Sequence, residues 1–173
     1  MPATFEAIAT YALPSGTNLY TFSSIPSTYT DLFVTVGNWR GSIGENSVAM
    51  YYNGDNGSNY GTAGYWTFGT GNGSSSGQTG FQATNVTGQQ AYLDRISGDT
   101  TTAGQINAYI SRYADTTINK TTLIKSGCGV RGTESISHIY YSTNAINSIT
   151  FRMQGSEDIS AGTFFTIFGI KAA

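Results

Sequence analysis

Residues 31–39 read DLFVTVGNW and residues 148–153 read SITFRM. Leu32, Val34 and Val36 take alternate positions in the first; Ile149, Phe151 and Met153 do so in the second, with Arg152 opposite. A strand turns successive side chains to opposite faces, so a period of two marks a half-buried strand and not a helix of period 3.6. The same reading extends to FEAIATYAL (5–13), NLYTFSSI (18–25), SVAMYY (47–52), AYLDRI (91–96), TTLIKSGC (121–128), SISHIYY (135–141) and TFFTIFGI (163–170). Turn-forming residues separate them at Pro14-Ser15-Gly16, Asn53-Gly54, Ser97-Gly98-Asp99, Gly155-Ser156 and Ala161-Gly162. Short strands at this spacing predict an all-β fold, an antiparallel β-sandwich of jelly-roll type.

Two stretches fit less directly. In GQINAYISRYADT (104–116), Ile106, Tyr109, Ile110 and Tyr113 have helical spacing, yet Ile106, Ala108 and Ile110 also alternate with Tyr109, Ser111 and Tyr113. The β-branched and aromatic content favours strand. Residues 61–90, GTAGYWTFGTGNGSSSGQTGFQATNVTGQQ, are rich in glycine without a long apolar run, and read as a long Gly/Ser-rich loop. Trp66 and Phe68 inside it imply either a fold back onto the core or contact with a neighbouring chain.

A length of 173 residues suits one domain, residues 1–173, with a core that needs no disulfide or metal. Charged residues make up 10% of the chain, against about 25% in an ordinary soluble domain, and the formal net charge is −2. That balance leaves no cationic footprint for nucleic acid. The N-terminus lacks a basic region followed by an apolar run, and no stretch approaches the ~18 apolar residues of a membrane span, so a membrane is not an expected partner. The one cysteine, Cys128, has no internal partner for a disulfide and reads as a small packed or half-exposed thiol.

Motifs that resemble reactive sites lack their structural context. GCGVRG (127–132) fits the dinucleotide pattern, but the alternating TESISHIYYS that follows offers no helix N-terminus for a phosphate. GSSSG (73–77) fits the nucleophile-elbow pattern inside a low-complexity run. A serine or cysteine nucleophile asks for a base, and His138, the only imidazole, sits in strand-like text. Zinc asks for a Cys/His cluster that one of each cannot form. Paired carboxylates for glycoside hydrolysis are not indicated, since most acidic residues lie in turns or strand ends, such as Glu157 and Asp158. The loop YYNGDNGSNY (51–60) fails the EF-hand pattern and fits turn chemistry, because Asn-Gly tolerates positive φ. No cofactor, metal or catalytic residue is expected.

Four stretches in order, TFSSIPSTYTDLFVTV (21–36), YYNGDNGSNY (51–60), ISRYADTTINKTTLIKSG (110–127) and STNAINSITFRMQG through GTFFTIFGIKAA (142–173), resemble tailed-bacteriophage virion surface proteins of jelly-roll type. Tyr140 and Tyr141 stand where that group usually has tryptophan, and IFGI where it has LYGI. The resemblance implies a virion structural protein at the particle surface, without catalytic activity. Met1 followed almost at once by a strand, with no shaft, favours a capsid decoration (cement) protein: a homotrimer bound to the major capsid protein, with Trp39, Trp66 and Phe68 as contact residues. The alternative is a tail-fibre or receptor-binding module that holds host glycans through Asn59, Tyr60 and Tyr65.

Overall fold

The computed structural model describes residues 4–40, 48–69, 75–86, 92–94, 103–128, 132–153, 155 and 157–171. Among them, β1 (Thr4–Ala12), β2 (Leu19–Phe22), β3 (Asp31–Trp39), β4 (Val48–Tyr52), β5 (Tyr60–Gly69) and β6 (Ser75–Val86) come first. β7 (Tyr92–Asp94), β8 (Gly104–Ser111), β9 (Lys120–Cys128), β10 (Gly132–Tyr140), β11 (Ile149–Met153) and β12 (Phe164–Lys171) follow. One sheet runs β1, β12, β3, β8, β9, β10, β5, β6 and the other β2, β11, β4, β7. Every pairing is antiparallel. The chain is thus an all-β sandwich of jelly-roll type.

Alternation decides which face is core. Leu32, Val34 and Val36 of β3, Ile106, Ala108 and Ile110 of β8, and Ile136, His138 and Tyr140 of β10 are buried, while the residues between them are partly exposed. They meet the wholly buried β4 and the buried Ile149, Phe151 and Met153 of β11. At one end of this core Phe165 packs on Phe151, ring centroids 4.9 Å apart, and on Tyr20 at 4.7 Å. At the other end Tyr52 of β4 lies 6.4 Å from Tyr60, 5.8 Å from His138 and 5.5 Å from Tyr140. Each such aromatic pair adds ~0.5–1.5 kcal/mol beyond area burial.

The loop 51–60 carries the chain from the smaller sheet to the larger. Asn53 (φ 55°) and Gly54 (φ 69°) both take positive φ, and the Asp55 N–H donates to the Tyr52 carbonyl at 2.8 Å, a type I′ turn. The Asp55 carboxylate accepts from the Gly57 N–H at 2.8 Å, Asn59 Nδ2 at 2.9 Å and the Tyr140 hydroxyl at 3.1 Å. Asn53 Oδ1 accepts from the Asn147 N–H at 2.8 Å and Asn53 Nδ2 donates to the Ala145 carbonyl at 2.9 Å. The oxygens that a calcium ion would use thus hold the turn together.

Two expectations need correction. Residues 61–90 are not one long loop, because β5 and β6 form a hairpin that joins the large sheet through β10. Trp39 is 0% exposed and cannot serve as an outer contact. A bulge between Gly37 and Trp39, with Asn38 at φ 54°, breaks the alternation and turns the indole inward. There it lies over Gly104, where an added Cβ would come within 2.6 Å of Nε1.

Partial burial pushes the Asp55 carboxyl up, but the hydrogen bonds from Asn59, Gly57 and Tyr140 outweigh this and hold it below the usual carboxylate value. Its contribution to stability is therefore present above about pH 4 and lost as pH falls through the folded-state value. Asp55→Ala should cost about 2 kcal/mol of unfolding free energy at pH 7. In urea titrations the gap from wild type should narrow below pH 4; an unchanged midpoint at pH 7 would show that the turn stands without the carboxylate.

Candidate functional site

The strands that fill the core with one face present the other to solvent. On this outer face of the large sheet the register places Phe33 beside Tyr109, Tyr109 beside Leu123, Leu123 beside Ser137 and Ser137 beside Ala63. Two residues along each strand a second row runs Thr35, Asn107, Lys125, Ser135, Tyr65. One row is thus largely aromatic and aliphatic at its β3 end, and the next carries hydroxyl, amide and ammonium groups. Leu123 at 58% and Tyr65 at 53% exposure are large apolar surfaces left open to water. Phe168 and Phe5 continue the first row outward, 6.3 and 6.0 Å from Phe33.

Between these side chains the surface sinks into three connected hollows. One of about 320 Å³ is lined by Phe33, Asn107, Tyr109, Leu123 and Lys125. The next, about 280 Å³, shares Leu123 and Lys125 and adds Tyr65, Ser135, Ser137, Ala63 and Gly64. A third of about 170 Å³ shares Ala63 and Ser137 and ends at Thr84, Ile139 and Tyr141. Small residues form its floor, and Gly61 lets Tyr141 lie close, since a Cβ there would stand 2.5 Å from the phenol oxygen. The hollows adjoin through shared lining residues and follow one another across six strands, from β3 to β6, a shallow trough roughly 24 Å long at a strand spacing of about 4.8 Å.

The trough has defined electrostatics. The Tyr109 hydroxyl donates to Asp31 Oδ2 at 2.5 Å, and the Arg112 N–H donates to Asp31 Oδ1 at 2.7 Å. The hydrogen bond to Asp31, with some burial and the carboxylate charge, pushes the Tyr109 phenol up to about 12, so it stays protonated. Among the described residues that line the trough, Lys125 is the one charged side chain. The site can offer ring and aliphatic faces, hydroxyl and amide hydrogen bonds, and one positive charge.

Among the described side chains that the sequence offered as contact or binding candidates, Tyr65 alone lies here. Asn59 is exposed on the turn and committed to Asp55. Tyr60 is 0% exposed, its hydroxyl donating to the Asp55 carbonyl at 2.8 Å and accepting from the Tyr52 N–H at 3.1 Å, so it cannot contact a ligand. The side chains of Trp66, Phe68 and Cys128 lie outside the described residues, as do residues 73–74 of GSSSG, residues 129–131 of GCGVRG and the turn 97–99. The residues missed were Phe33, Asn107, Tyr109, Leu123, Lys125, Ser135 and Ser137. Their signal was present: Phe33, Tyr109 and Leu123 put large apolar groups at the outward positions of alternating strands, where polar residues are usual.

His138 faces the core, stacked 5.2 Å from Tyr60. It is 0% exposed, and neither ring nitrogen has a hydrogen-bond partner among the described residues. Lys120, also buried, donates to the carbonyls of Asp115, Ile118 and Thr143, which gives it a structural role at the loop 112–119.

No protein-family model matches the chain, and no characterised protein is similar to it in sequence. Among the solved structures that resemble it are alginate lyases. The alginate lyase Aly36B matches with a TM-score of 0.37 and 8% identity over 94% of this chain and 79% of that one. A mutant of that enzyme in complex with an alginate tetrasaccharide gives 0.36 and 13%, over 95% and 79%. The marine PL-14 alginate lyase from Aplysia kurodai gives 0.32, over 99% and 83%. These neighbours are enzymes and not phage proteins, so the capsid-decoration reading, its tail-fibre alternative and the expectation of a non-enzymatic chain do not stand. At these scores the likeness assigns neither an activity nor a site.

Burial lowers the His138 pKa to about 3, whereas an unfolded chain titrates near 6.5. Between those values the unfolded state binds the extra proton, so stability should fall as pH drops below 6.5, by at most about 1.4 kcal/mol per pH unit. In His138→Phe, urea midpoints should flatten between pH 6.5 and 5, where few carboxylates titrate. Equal slopes in both proteins would place the acid sensitivity elsewhere.

Proposed function

We propose that the outer face of the eight-stranded sheet binds an extended polysaccharide along the trough from Phe33 to Tyr141. One observation carries the reading: a line of adjoining hollows across six strands, with ring-bearing side chains beside a row of hydroxyl and amide groups. A sugar ring has an apolar face and an equatorial rim of hydroxyls, so it needs both at once, repeated along a line. A deep, enclosed cavity would suit a small molecule; an open trough of this length suits a chain whose ends leave the protein. The antiparallel sheet beneath it holds the rows in fixed register, which limits the ordering cost of binding.

The test is affinity electrophoresis or calorimetry of the purified protein against neutral and acidic polysaccharides, alginate among them. Tyr65→Ala removes the exposed ring of the middle hollow and should weaken binding about tenfold, equal to ~1.4 kcal/mol. Leu123→Asp should weaken it further, and neither exposed change should shift the thermal midpoint by more than a few degrees. Absence of binding to every polysaccharide, or variants that bind as the wild type does, would overturn the reading. A fall in ligand chain length on incubation would add catalysis to binding.

A further inference from the structure

We propose that the trough selects acidic polysaccharides, with an anionic substituent of the sugar, a carboxylate or a sulfate ester, seated on the Lys125 ammonium. The inference rests on the polysaccharide reading of the trough and adds the substrate class.

Lys125 occupies the seam of the site. It lines both larger hollows, pairs across the strands with Asn107 on β8 and Ser135 on β10, and stands in the row that ends at Tyr65. Its side chain is exposed, and no carboxylate among the described residues pairs with it. Asp31, at the β3 end of the trough, accepts from Tyr109 and the Arg112 N–H, and Glu134, beside Ser135, is buried on the core side, where it accepts from the Ser126 hydroxyl at 3.3 Å. An arriving anion therefore meets a cation with no internal competitor, next to amide and hydroxyl donors that can share the charge-assisted hydrogen bonds.

The whole-chain charge argues for a local contact. At a formal net charge of −2 the protein does not draw polyanions by its long-range field. A preference for acidic sugars must then come from Lys125 itself, so it should respond to one substitution and only modestly to salt. A lysine on a solvated strand often serves solubility alone; its place between two hollows flanked by Tyr109, Leu123 and Tyr65 separates the two roles.

The experiment measures affinities of wild type, Lys125→Gln, Lys125→Arg and Tyr65→Ala for three oligosaccharides of equal length: an oligouronate, a sulfated galacto-oligosaccharide and a neutral gluco-oligosaccharide. Wild type should favour at least one acidic ligand over the neutral one by about tenfold, and the better of the two identifies the anion. Lys125→Gln should collapse that ratio and Lys125→Arg should keep it. An acidic-to-neutral ratio near one in wild type, or one that survives Lys125→Gln, overturns the inference. If Tyr65→Ala weakens all three ligands alike while Lys125→Gln changes none, the trough reading stands and the charge selection falls. If no ligand binds, both fall.

Discussion

The contact of Tyr52 with Tyr60, His138 and Tyr140 is the point on which the two sheets depend. Tyr52 ends β4, an inner strand of the small sheet, and its three partners lie on β5 and β10 of the large one. The Tyr52 hydroxyl is itself held by Thr122 at 2.5 Å, which draws β9 into the same cluster. The turn at Asn53 and Gly54, with positive φ at both positions, reverses the chain after Tyr52, and Tyr60 returns to lie 6.4 Å from it. The loop read from sequence as a tight turn also serves as a clamp between layers.

That clamp has a consequence on the opposite surface. Once His138 and Ile136 are fixed in the core, the pleat forces Ser137 and Ile139 outward, and the register with β9 and β5 follows residue by residue. A slip of one residue would expose His138 and bury Ser137, an exchange strongly disfavoured by the aromatic packing. The rows of the trough are therefore as fixed as the core beneath them. Binding residues placed on strands in this way need little reorganisation to receive a ligand.

How much of this could be read from the sequence depends on what kind of signal each segment carried. DLFVTVGNW, SITFRM and GQINAYIS were legible because their apolar residues alternate, and they became β3, β11 and β8. The stretch 61–90 was not, because glycine, serine and threonine carry no apolar period; β5 and β6 owe their strand form to backbone pairing with β10 and with each other. Trp39 misled because alternation places residue 39 on the outer face, and only the bulge at Asn38 returns it to the core. The trough was hidden for a different reason: Tyr109, Leu123 and Tyr65 are 14 and 58 positions apart in the chain and become neighbours only through strand order.

The low charge of the chain takes on another sense in this light. Few charges and many aromatic residues would also suit burial against other subunits. In the structure much of that aromatic content is inside: Phe22, Phe151, Phe165, Tyr52, Tyr60, Tyr113 and Trp39 are all buried. Among the described residues the three most exposed large apolar side chains, Phe5, Leu123 and Tyr65, all lie on the outer face of the large sheet. A face whose outward positions carry threonine, serine, asparagine and aromatic rings, with a single lysine in the trough, resists close packing against another protein because its hydroxyls would each need a partner. It accepts a ligand that brings its own hydroxyls and still rewards the burial of a ring face, and that asymmetry favours a sugar chain over a protein neighbour.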